Sequence, residues 1–121
     1  MGDLSKNFSR DEFRCKCAEC EQVGPPMELV EILQDVRDHF GRAVAVHSGH
    51  RCAAYNKRVG GAPRSKHLTG DAADITVAGH TPDQVQDYLL AKYPGRYGIG
   101  RYNTFTHVDV RPGPARWDNR R

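Results

Sequence analysis

Apolar residues recur at three- and four-residue intervals at Met27, Val30, Leu33, Val36 and Phe40, which predicts an amphipathic helix over 27–40. Pro25 and Pro26 introduce that run and Gly41 stops it. Ahead of it, Ser9 followed by Glu12 is a capping-box pair and predicts a short helical turn near 10–14. The stretches 43–47 and 72–77 read as strands, and 52–59 as a short helix ended by Gly60 and Gly61. Thr81-Pro82-Asp83-Gln84 combines a cap, a first-turn proline and a glutamine three residues on, so a helix begins there and ends near Tyr93. Strands are expected over 97–101 and 105–110, joined by a tight turn around Asn103; the tail from 112 is loop or extended edge. The pattern predicts an α+β fold, a small and mostly antiparallel sheet with helices packed on one face.

A chain of 121 residues builds one small core, and the expectation is a single domain over 1–121. The 18 Lys and Arg against 15 Asp and Glu leave a charge of +3, too mild and too scattered to indicate nucleic acid as a partner. No apolar run approaches the roughly 20 residues of a membrane span, and residues 1–8 lack the apolar centre of a signal peptide. A monomer made in the cytoplasm is expected.

Two imidazoles and a carboxylate carry the candidate chemistry. His67 and Asp74 lie in Ser-Lys-His-Leu-Thr-Gly-Asp-Ala-Ala-Asp (65–74), and His107 lies in Thr-His-Val-Asp-Val-Arg (106–111). Two neutral nitrogens and one anionic oxygen are the ligand set of an open catalytic zinc, which keeps a position for water. Asp74 precedes Ile-Thr-Val, and a carboxylate in an apolar strand calls for a cation or a hydrogen-bond network. Alternation along 105–110 puts His107, Asp109 and Arg111 on one face.

Taken together, several motifs resemble peptidase M15, the zinc D-alanyl-D-alanine peptidases of peptidoglycan, and in particular its small, often phage-borne branch. They are Ser65-x-His67-x-x-Gly70-x-Ala72-x-Asp74, Ser48-Gly49-His50-Arg51, the run Asn56 to Pro63 with its Val-Gly-Gly-Ala, and Phe105-Thr-His107-Val-Asp109-Val-Arg111 with Arg116-Trp117 after it. The resemblance covers about 26–117, a peptidase core behind a cysteine-containing segment over 1–25. It implies a hedgehog-like fold and one catalytic Zn2+ on His67, Asp74 and His107. It also implies that Arg51 binds substrate and stabilises the oxyanion, with Ser65 and Arg111 as further substrate contacts.

Many relatives carry an acidic general base three positions before the last histidine, where this chain has Thr104. Asp109 is the nearest replacement, as base or as the group that orients a ligand imidazole, and His50 is a weaker alternative. The activity implied is hydrolysis of a peptidoglycan stem-peptide or cross-link bond, by a D-Ala-D-Ala carboxypeptidase or a murein endopeptidase. It would act at the bacterial cell wall after phage release or from a virion. The alternative is a non-catalytic, zinc-containing wall- or ligand-binding module of the same fold.

Cys15, Cys17, Cys20 and Cys52 form a second constellation. The Cys17-x-x-Cys20 spacing suits a metal knuckle, so a second, cysteine-bound zinc, up to two disulfides, or free thiols remain as readings.

Overall fold

The computed structural model describes residues 4–16, 24–61 and 65–120. The predicted turn near 10–14 is a 3₁₀ turn, Arg10–Phe13, in which the Ser9 backbone N–H donates to the Glu12 carboxylate at 2.6 Å. It is followed by α1 (Met27–Phe40), which ends at Gly41 in the left-handed conformation, φ 65°. Its buried stripe is Leu29, Val30, Ile32, Leu33 and Val36. Met27, expected on that stripe, is half exposed, while Leu29 and Val30 of the same first turn are fully buried.

The order then runs β1 (Val44–Ser48), α2 (Ala53–Arg58), β2 (Ala72–Val77), α3 (Pro82–Lys92), β3 (Gly98–Arg101), β4 (Thr106–Asp109) and β5 (Ala115–Asp118). The α3 start forms the expected cap, with Gln84 N–H donating to Thr81 Oγ1 at 3.3 Å and Thr81 N–H to Gln84 Oε1 at 2.9 Å. The strands make one sheet in the order β1-β2-β4-β3-β5, antiparallel except where β5 runs parallel to β3. The fold is α+β with a mostly antiparallel sheet, as the pattern predicts. The tail left as loop or edge is the parallel edge strand.

The two sheet faces do different work. Ala73, Ile75, Val77, Ile99 and Val108 join Leu29, Leu33, Val36, Val85 and Leu89 of the helices in the core. Strand alternation sends the intervening side chains to the opposite face. There the pairing sets Ser48 beside Asp74, Asp74 beside His107, His107 beside Gly100, and Gly100 beside Trp117. One row across all five strands thus carries two of the candidate ligands.

Two tyrosines pin α3 and its C-terminal end to α1. Tyr88 Oη donates to Asp35 at 2.7 Å and Tyr93 Oη to the same carboxylate at 3.3 Å. Burial and the Asp35 carboxylate raise both phenols, Tyr93 to about 12. Arg116 fixes β5 by donating to the carbonyls of Tyr93, Arg96 and Tyr97 at 2.6, 2.9 and 2.6 Å. No helix among the described residues is long and apolar enough to cross a membrane.

Candidate metal centre

His67 reaches the site from a 3₁₀ turn, Lys66–Thr69, capped by Ser65, whose Oγ accepts the His67 backbone N–H at 3.2 Å. Gly70 closes the turn with φ 78°, a conformation that a Cβ would strain. The chain then enters β2, which carries Asp74, and β4 supplies His107 from the neighbouring strand. The donor atoms of His67, Asp74 and His107 all lie within 4.8 Å of one another.

The hydrogen bonds around the imidazoles decide which nitrogens face inward. His67 Nδ1 lies 2.7 Å from the Gly49 carbonyl, which only accepts, so Nδ1 carries the proton and Nε2 offers a lone pair. His107 Nε2 lies 2.8 Å from Asp109 Oδ2, so in the neutral ring that nitrogen is the donor and Nδ1 offers the lone pair. Both inner nitrogens then face the same oxygen, Asp74 Oδ1, at 3.2 and 3.0 Å. Three lone-pair bearers converging in a buried place require a cation between them, a proton or a metal. The donor set fits zinc: two imidazoles with their outer N–H groups satisfied, and one carboxylate.

In the metal-free protein the two flanking carboxylates act on His107 from both sides. Burial alone would lower the His107 pKa, but hydrogen bonds to Asp109 and Asp74, with their charge, raise it. Burial alone would raise Asp74, yet hydrogen bonds from His107 and His67 and their charge hold it well below the usual carboxylate range. Asp109 is held low in the same way, by His107 and Arg111 against the effect of burial.

Asp109 has no exposed side-chain surface and a full set of partners. Arg111 donates to Oδ1 from Nε and to Oδ2 from Nη2, both at 2.7 Å, and its backbone N–H reaches Oδ1 at 3.2 Å. Gly98, paired opposite, leaves the room: a Cβ there would meet the two Asp109 oxygens at 2.4 and 2.5 Å.

Arg51 stands on the other side of Asp74, its Nη2 3.9 Å from Oδ2. Its Nη1 donates to Asn56 Oδ1 at 3.2 Å, and its Nε is buried with no hydrogen-bond partner among the described residues. Asn56 of α2, itself buried, therefore aims the guanidinium and leaves donors to spare.

A cleft of about 550 Å³ opens over these groups. Arg51, Ser65, His67, Asp74, His107 and Arg111 line it, with Tyr102, Phe105 and Trp117 as an aromatic wall. Trp117 lies 4.9 Å from His107 between ring centroids, and its Nε1–H donates to Tyr102 Oη at 2.8 Å. It occupies the space above Gly100, where a Cβ would meet the indole at 2.4 Å.

All of the site residues expected from the sequence that lie among the described residues are therefore located. His50 packs against Phe13, its backbone N–H donating to the Phe13 carbonyl at 2.8 Å, and it is not among the described residues lining the cleft. Thr104 is exposed and lines an adjoining cleft beside Asp74. Cys52 N–H donates to Cys15 Sγ at 3.3 Å, which brings those two cysteines together across the sequence. Cys17 and Cys20 lie outside the described residues.

The sequence motifs contain Gly49, Asn56, Phe105 and Trp117 without giving them a role, and Gly98, Gly100 and Tyr102 lie outside them. The signal for Gly98 and Gly100 was their two-residue spacing, which bares one face of a strand opposite the His107–Asp109 pair.

Residues 6–109 match the family model described as Peptidase M15. None of the curated proteins compared with the chain matches it.

Proposed function

The chain belongs to the peptidase M15 family, a family of zinc-dependent metallopeptidases, and from that membership and the His–Asp–His geometry we propose that it hydrolyses a peptide bond of peptidoglycan. The observation that carries the reading is the convergence of His67 Nε2, His107 Nδ1 and Asp74 Oδ1 at the floor of the cleft. When held by these three donors, zinc supplies Lewis acidity for the attacking water and the scissile carbonyl.

The chain's own groups do the rest. The Gly49 carbonyl and the Asp109 carboxylate keep the outer protons on His67 and His107, so both rings present lone pairs inward. Of the two roles open for Asp109, its burial and its bidentate hold on Arg111 support orientation of His107 over proton abstraction. Arg51, aimed by Asn56, sets a fixed positive charge on the cleft wall beside Asp74, where its Nη2 can meet the charge developing on the substrate oxygen. Arg111 is spent on Asp109, so its part in substrate binding is to border the cleft. Ser65 acts first as the cap that places His67.

Purified protein loaded with zinc should release peptides from peptidoglycan, and His67→Ala and Asp74→Ala should lose both stoichiometric zinc and that release. Full activity in either variant refutes the assignment. Binding to peptidoglycan with no cleavage at any pH would favour the non-catalytic module instead.

A further inference from the structure

We infer that Cys15 is a positioning residue of the metal centre, setting His67 and Arg51 through the strip Gly49-His50-Arg51-Cys52. This rests on the zinc reading above and extends it to the N-terminal segment. The strip follows β1 directly and is hydrogen-bonded along both edges, with alternate residues serving each. On one edge both bonds go to a single residue, His67. The Gly49 carbonyl accepts from His67 Nδ1–H at 2.7 Å, and Arg51 N–H donates to the His67 carbonyl at 2.8 Å. Ring and backbone of that ligand are therefore tied to the strip together.

On the other edge the partners come from the N-terminal segment. His50 N–H donates to the Phe13 carbonyl at 2.8 Å, and Cys52 N–H donates to Cys15 Sγ at 3.3 Å. A backbone N–H calls for an acceptor, and here a sulfur stands where a sheet would offer a carbonyl. The two segments touch backbone to backbone: a Cβ at Gly49 would meet the Phe13 Cα and carbonyl oxygen at 2.7 Å. The strip has no room to move closer, and without the sulfur it has one bond fewer to keep it from moving away.

The N-terminal segment is itself fixed. Phe8 and Phe13 belong to the core and Cys15 is buried. Ser5 Oγ and the Asn7 backbone N–H donate to Gln34 Oε1 of α1 at 2.7 and 3.0 Å. That fixed place is handed on to α2, because Cys52 is its cap and Cys52 Sγ accepts from Tyr55 N–H at 3.4 Å. Asn56 of the same helix accepts from Arg51 Nη1. The Cys15 sulfur thus stands behind both a metal ligand and the arginine of the cleft.

The test replaces Cys15 by Ala and by Ser, with Tyr88→Phe as a control that loses stability outside the strip. All proteins are kept reduced, and zinc is measured by stoichiometry and by competition with a chromophoric chelator. Cys15→Ala should weaken zinc at the His67 site about tenfold, the low end of the cost of losing a group that supports a ligand. Cys15→Ser, which keeps an acceptor, and Tyr88→Phe should stay within about threefold of the parent. In metal-free Cys15→Ala, the Arg51 amide should exchange with solvent about tenfold faster than the global loss of stability accounts for.

Unchanged zinc affinity and Arg51 exchange in Cys15→Ala overturn the inference, as do equal losses in Cys15→Ser. Loss of one whole zinc equivalent from a parent holding two, with the remaining site unaltered, also overturns it and makes Cys15 a ligand of a second ion. A parent that binds no zinc overturns the zinc reading, while the Arg51 exchange still judges the role of Cys15.

Discussion

Replacing Asp109 by Asn separates the two roles that its position allows. The change keeps the shape and removes one charge. At present Oδ2 accepts from His107 Nε2–H and from Arg111 Nη2, while Oδ1 accepts from Arg111 Nε and the Arg111 backbone. An amide has one oxygen, so either the imidazole or the guanidinium must face an NH₂ group. Loss of the outer partner of a ligating imidazole weakens metal binding by about 10- to 100-fold, or about 1.4–2.7 kcal/mol. The metal-free fold should also lose about 1–2 kcal/mol, since Arg111 is partly exposed and water takes up some of its lost pairing.

The assay is zinc competition against a chromophoric chelator, followed by kcat/KM as a function of free zinc. The expected variant binds zinc about 10- to 100-fold more weakly and recovers most of its activity at saturating zinc. A general base would behave in the opposite way, with zinc affinity kept and kcat reduced about 10²- to 10⁴-fold at every zinc concentration. That second pattern would refute the orienting role and return Asp109 to the base.

Gly100→Ala places a methyl group in the Trp117 indole, so the ring should leave His107. Because Trp117 is the sole tryptophan, its emission should shift and its quenching by Co2+ added at the site should weaken; an unchanged spectrum refutes the packing. The raised His107 pKa gives stability that is full below about pH 6.5 and is lost as pH rises through the folded value. The Tm of metal-free protein should therefore fall as pH rises above about 6.5 while that of zinc-loaded protein holds, and a metal-free Tm that rises there contradicts the assignment. Tyr88→Phe removes the hydroxyl that donates to Asp35 and should cost about 1–2 kcal/mol in urea unfolding with kcat/KM unchanged. Asn56→Leu, by withdrawing the acceptor that aims Arg51, should lower kcat/KM about tenfold or more in the parent but have little effect beside Arg51→Ala; equal losses in both backgrounds sink the coupling.

The elements bounded by strong local punctuation were readable from the residues. Pro26 and Gly41 bracket α1, and Thr81 with Gln84 starts α3, because cap and breaker chemistry acts within a few residues. The ligands were readable for a related reason: a carboxylate followed by Ile-Thr-Val and a histidine in a β-branched strand are locally costly without a partner. What stayed hidden depends on distant pairing. β5 takes its place through Arg116 and three carbonyls about twenty residues away, and Trp117 gains its position over Gly100 only when β3 and β5 align. The Gly49 carbonyl carries no side-chain identity, so nothing at position 49 announces that it holds a histidine proton. The role of Asp109 needed its burial and its four partner contacts, which spacing alone does not supply.

The row that joins Asp74 to His107 has a consequence for how the protein assembles. Those residues are 33 apart in the chain and meet only because β2 and β4 pair in one alignment. A slip of one residue in β4 would turn Val108 toward the cleft and send His107 and Asp109 into the core. Only the native alignment offers three donors to an ion, so an ion bound there lowers the free energy of that alignment and of no other. The catalytic metal would then double as a proofreader of strand pairing, and withholding it during refolding should increase the share of misaligned, aggregation-prone chains.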